Sequence, residues 1–141
     1  MKKIFKHGII LPLKEIFLKN FSGAVSIYVN EYLNKSLLKD STVIFTLDNK
    51  GEYLKKNVSS IKLKSSFFTN YNYIKSITNK KEFKFLDTIE IHNRPNYAEY
   101  IIKKYPDKKI SLVLHNVFFT KNTLLEKNRK LNLLKHCSSL V

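Results

Sequence analysis

The chain has 141 residues, 43% of them hydrophobic, enough for one domain with a proper core and too few for two of ordinary size. Its formal charge is +15, from 26 Lys and Arg against 11 Asp and Glu, and no apolar run approaches the roughly 20 residues that cross a bilayer, which excludes a hydrophobic membrane span. The single cysteine, Cys137, excludes an internal disulfide and suits a reducing compartment. A surface this positive attracts phosphate-bearing partners. Yet only Arg94 and Arg129 are arginine, and the wealth of Lys, Asn, Ile, Tyr and Phe is also what an A/T-rich coding sequence produces. Charge alone therefore selects no partner.

The basic amino terminus leads into an apolar stretch that holds Pro12 and continues into Lys14 and Glu15 without a small-residue cleavage site. This reads as a first strand over residues 4–11 (IFKHGIIL), not as a signal peptide. Residues 12–22 read as a loop, although Ile16, Phe17, Leu18 and Phe21 are numerous for a solvated connection and point to a helical turn or a partner surface. Ser22 stands as N-cap to an amphipathic helix in which Val25, Tyr28, Val29, Tyr32, Leu33 and Leu37 recur at spacings of three and four, ended by Asp40-Ser41. Residues 42–47 (TVIFTL) are a β-branched and aromatic second strand, 48–51 a turn, and 58–63 a third, weaker strand. Residues 67–85 mix aromatics with Lys and contain a helix without clear limits.

The second half is the more regular. Residues 86–92 form a fourth strand, a helix runs from Pro95, tolerated in a first turn, to Tyr105, and Pro106 breaks it. Residues 110–114 form a fifth strand, 124–134 a basic helix, and 139–141 the start of a sixth strand. Strands and helices alternating at these lengths predict an α/β domain, a parallel sheet with helices on both faces and right-handed crossovers.

Ligands of open α/β sheets bind in the crevice beyond the carboxyl ends of the strands, so strand-end residues are the candidates for chemistry. Ser22-Gly23-Ala24 lie between the first strand's loop and a helix start, where backbone N–H groups and the helix dipole favour an anion. The same residues also read as a plain helix cap, and the G-x-G-x-x-G dinucleotide fingerprint is absent. His92-Asn93-Arg94 close the fourth strand: the imidazole titrates near neutrality, Asn93 tolerates a left-handed turn, and Arg94 offers a planar fork to phosphate or carboxylate. His115-Asn116 close the fifth strand, so adjacency of the two strands brings both histidines to one edge. Strand-end turns also use such residues for backbone shape alone. His7, His92, His115 and His136 lack zinc-ligand spacing and no strained nucleophile elbow occurs, so neither a metal centre nor a serine-hydrolase site is expected.

FSGAV at 21–25, IEIHNRP at 89–95 and LVLHN at 112–116 together resemble the N-terminal, acceptor-side domain of a GT-B glycosyltransferase of family 4, over essentially the whole chain. The resemblance implies a Rossmann-like domain of an enzyme that moves a sugar from a nucleotide donor, with retention, to a cell-envelope or lipid-linked glycan acceptor. It puts Ser22, Gly23 and Ala24 near the donor diphosphate and gives His92 the catalytic position beside the reacting sugar. Asn93, Arg94, His115 and Asn116 become substrate-binding residues. The nucleotide sugar is then a substrate, and no metal or other cofactor is implied. The chain departs from the family in having Ser22-Gly23 where paired glycines are frequent, and in lacking the C-terminal donor-binding domain. A fragment with little activity alone is the expectation. It would be cytoplasmic, with basic residues 14–21 suited to docking on the anionic inner face of the membrane. Two other classes compete. A nucleic-acid-binding protein is suggested by Lys interleaved with Tyr and Phe, but Lys is scattered through every element and no RNA-recognition or helix-turn-helix motif occurs. A non-catalytic α/β interaction domain is the other.

Overall fold

A computed structural model describes residues 4–116 and 123–141. In chain order the elements are β1 (His7–Ile10), α1 (Ala24–Lys35), β2 (Thr42–Leu47), β3 (Val58–Ile61), α2 (Thr69–Thr78), α3 (Lys81–Lys84), β4 (Thr88–His92), α4 (Pro95–Lys104), β5 (Lys109–Val113), α5 (Leu124–His136) and β6 (Ser139–Leu140). The strands form one six-stranded sheet in the order β3-β2-β1-β4-β5-β6, parallel throughout. This is the Rossmann-like α/β fold expected. Strand order reverses between β1 and β4, so the crevice beyond their carboxyl ends is the switch point at which such sheets bind ligands.

Near-continuous apolar runs fill the central strands because both faces are covered. The larger core lies under α2 to α5, where Ile10, Phe45, Ile89, Ile91 and Leu112 meet Tyr73, Phe83, Tyr97, Ile101 and Leu133. On the opposite face Ile9, Leu11 and Ile44 pack against Val25, Val29 and Leu33 of α1 and against Phe17. Side chains alternate along a strand. With Ile89 and Ile91 given to the larger core, Thr88, Glu90 and His92 are turned to the α1 side. Tyr73, fully buried, stitches the carboxyl ends of β1 and β2 together by donating its hydroxyl to the Leu11 carbonyl at 3.0 Å and the Phe45 carbonyl at 3.3 Å. Arg129 grips Glu99 through two nitrogens and so ties α5 to α4.

Several boundaries differ from those read in the sequence. Ile4 is exposed and precedes β1, and α1 stops at Lys35, where Ser36 turns extended and its N–H bonds back to Leu33. Leu37, in step with the helix periodicity, is fully exposed beyond it. The stretch 67–85 holds two helices, and the third strand stops at Ile61. Within the loop 12–22 Phe17 is fully buried and antiparallel bridges join Phe17 to Ser22 and Leu18 to Tyr53, so these residues pack on the chain itself, while Phe21 stays exposed. Among the described residues no helix is long and apolar enough to cross a membrane.

Candidate functional site

β4 and β5 pair so that His92 lies opposite Val113. The next residue, Asn93, takes a left-handed conformation, φ 53°, which Asn tolerates better than most residues. Its N–H donates to the Val113 carbonyl at 2.8 Å, and its side-chain oxygen accepts the His115 N–H at 2.7 Å. The exit of β5 is thereby locked to the exit of β4, and the imidazoles meet: His92 Nδ1 is 2.8 Å from His115 Nε2, with the ring planes 15° from parallel. On its other side His92 Nε2 is 2.6 Å from Glu90 Oε1. His92 is wholly buried between a Glu90 side chain that is 14% exposed and His115, which is exposed, so the row opens to the surface through His115. Tyr28 of α1 stands edge-on to both rings, at 5.9 Å from His92 and 4.9 Å from His115. Partial burial lowers the pKa of His115, the neighbouring His92 pushes the same way, and the charges of Glu15 and Glu90 pull back upward.

The amino end of α1 belongs to the same lip through Glu15. Its carboxylate accepts the Ser26 N–H at 2.8 Å, and it lies so near Gly23 that a Cβ there would meet Oε1 at 2.1 Å. Glycine at 23 gives this carboxylate its space. Gly23, not Ser22, is the N-cap position; Ser22 donates its hydroxyl to the Leu18 carbonyl, and Ala24 is the exposed first residue of the helix. The dipole of α1 is therefore met by the chain's own carboxylate, at the place where an external anion was expected.

Arg94 is not part of the imidazole row. It turns back on the Asn93 carbonyl at 2.8 Å and reaches the Tyr97 hydroxyl, in the core of the opposite face. Burial pushes that hydroxyl up to about 12, with Arg94 pulling the other way, and it donates to Asn70 Oδ1 at 2.7 Å. Asn116 is exposed beyond β5. Glu90, Glu15 and Tyr28 are participants that sequence reading did not single out. Glu90 carried a signal, since a residue two positions before His92 in a strand shares its face. Tyr28 reads as one more apolar position of α1, and nothing local marks Glu15. Among the described residues no group of three or more His, Cys, Asp or Glu could hold a metal ion, and the two imidazoles are bonded to each other.

No family model matches the chain, and no curated protein or solved structure matches it. Function has to be read from the residues of the lip.

Proposed function

We propose that the chain is the acceptor-side domain of a nucleotide-sugar glycosyltransferase of GT-B architecture and family 4 type, with little transfer activity by itself. The supporting observation is the convergence at one switch-point lip of the amino end of α1, where Glu15 now holds the Ser26 N–H, and a histidine pair from the ends of β4 and β5, which suits sugar hydroxyls. The exposed His115 and Asn116 offer both donors and acceptors, as hydroxyl recognition requires. His92, buried with both nitrogens engaged, acts on the sugar through His115 and not by touching it. In this reading a diphosphate takes the place of the Glu15 carboxylate at the Ser26 N–H. Retaining transfer also needs a developing oxocarbenium ion and a departing diphosphate stabilised from the opposite wall, work assigned to a second domain. In this reading the acceptor is an envelope or lipid-linked glycan at the cytoplasmic membrane face, and the charge of +15, with exposed Lys14 and Phe21, draws the domain to anionic lipid.

The test is an amide NMR titration of the isolated chain with uridine, guanosine and adenosine diphosphate sugars, free hexoses, inorganic pyrophosphate and a single-stranded oligonucleotide. Expected are shifts at Gly23, Ser26, His115 and Asn116 that sugar-bearing ligands produce and pyrophosphate does not fully reproduce. Equal response to pyrophosphate would reduce the lip to a generic anion site and remove the sugar-transfer reading. Tighter binding of the oligonucleotide to the same amides would replace that reading with nucleic-acid binding.

A further inference from the structure

We infer that Glu90, His92 and His115 form a proton relay whose open end is His115 Nδ1, and that this nitrogen takes the hydroxyl proton of a ligand bound at the lip. The identity of that ligand as a sugar acceptor rests on the function proposed above; the relay rests on three side chains and their distances.

The direction of the relay follows from what each atom can donate. An ionised Glu90 carboxylate can only accept, so the 2.6 Å contact requires the proton on His92 Nε2. A neutral imidazole carries one N–H, which leaves His92 Nδ1 as a lone pair. Its partner at 2.8 Å, His115 Nε2, must then be the donor. His115 is thereby fixed as its Nε2–H tautomer, with Nδ1 bare on an exposed ring. A histidine without this chain behind it would sample both tautomers.

Proton uptake runs along the same bonds without moving heavy atoms. The ligand O–H bond breaks as a proton joins His115 Nδ1; the His115 Nε2–H bond breaks as that proton joins His92 Nδ1. His92 becomes an imidazolium held against the Glu90 carboxylate, an opposite charge that makes a buried cation tolerable. His115 ends neutral, in the reversed tautomer. The ligand oxygen keeps the electron pair of the broken O–H bond and, in retaining sugar transfer, gives it to the anomeric carbon of an oxocarbenium-like sugar on the face from which the diphosphate departs with the electrons of the broken C–O bond. Only His115 meets the ligand, so Glu90 and His92 are positioning residues.

The groups around the relay are consistent with this task. Tyr28 of α1 covers the edges of both rings. Asn93 fixes the His115 backbone, and Glu15, from the loop after β1, adds a second negative charge that His115 feels. His7 of β1 senses Glu90 but is bonded through Nδ1 to Thr88 at 2.6 Å, outside the row.

Imidazole nitrogen NMR on the unliganded chain tests the relay apart from any sugar. Near pH 8 both His92 and His115 should appear as Nε2–H tautomers. Glu90→Gln should move the His115 titration midpoint downward, and His92→Phe should return His115 to a tautomer mixture. Retained amide dispersion reports folding; should His92→Phe unfold, the wild-type tautomers and Glu90→Gln decide. Saturating free hexose should move the His115 Nδ1 resonance more than Nε2. An Nδ1–H tautomer at His115, a midpoint indifferent to Glu90→Gln, or a bound hexose that leaves Nδ1 unmoved would overturn the inference. The first two results leave the sugar-transfer proposal standing, and failure of every sugar to bind leaves the tautomer result standing.

Discussion

Asn93 carries two burdens that substitutions can separate. Its left-handed backbone would cost most other residues about 1–2 kcal/mol, and its side-chain oxygen satisfies the His115 N–H at 2.7 Å, a bond worth about 1 kcal/mol. Asn93→Gly keeps the backbone and loses the bond, whereas Asn93→Ala loses both. Urea unfolding should rank the wild type above Asn93→Gly and Asn93→Gly above Asn93→Ala; equal midpoints for the two variants would show that the backbone angle is not limiting. His7 governs a different dependence. It is buried, its Nε2 has no hydrogen-bond partner, and burial lowers its pKa from 6.5, with Glu90 opposing. The unfolded chain then binds the proton first as pH falls, so His7 contributes stability above pH 6.5 that is lost as pH drops through its lower folded value. His115, also lowered, adds in the same direction. Melting temperatures should fall from pH 8 to pH 5, and His7→Gln should flatten part of that slope. A profile that rises on acidification would contradict the buried neutral form.

Among the elements, α5 buries a single side chain. Leu133 is its buried side chain, 0% exposed in the larger core, while Leu131 of the same helix is 63% exposed. Leu133→Ala should cost about 2–5 kcal/mol and Leu131→Ala no more than about 0.5, read from denaturation midpoints. This contrast also marks how far the sequence is legible. Leucines in α5 look alike in a pattern, and only the sheet beneath tells which is covered. Strong local signals read correctly: the apolar run 42–47 coincides with β2, Pro95 opens α4, and the sixth strand expected at 139–141 is present as Ser139–Leu140. Ends set by tertiary cover do not, as exposed Ile4 and Leu37 illustrate. The break before α2 falls at Phe68, left-handed at φ 49°, a conformation that no glycine announces. At the site, His92 and His115 were legible because strand ends in parallel neighbours must coincide. Capping by Ser22 failed because a loop folds Glu15 back onto the helix, a contact eleven residues distant that no local rule contains.

The chain carries a charge of +15, and among the described residues few surface ion pairs compensate it. Lys6–Asp87 at 3.4 Å and Lys62–Asp48 at 3.7 Å join exposed groups, and pairs of that kind contribute about 0–1 kcal/mol each. Net repulsion, by contrast, acts between all the lysines at once and is relieved when the chain expands on unfolding. Added salt screens both, but at about 0.01 M the screening length is near 30 Å, comparable with the domain, and at 0.15 M it is about 8 Å, longer only than the contacts within a pair. Repulsion over long distances is therefore removed first, while the Arg129–Glu99 clasp and the buried Glu90–His92 contact persist. The melting temperature should rise as NaCl is increased from about 0.01 M to about 0.15 M, the range over which the screening length contracts. A flat or falling curve would mean that the short-range pairs outweigh the net charge, and that the lysines are placed in opposition to acids more closely than these contacts indicate.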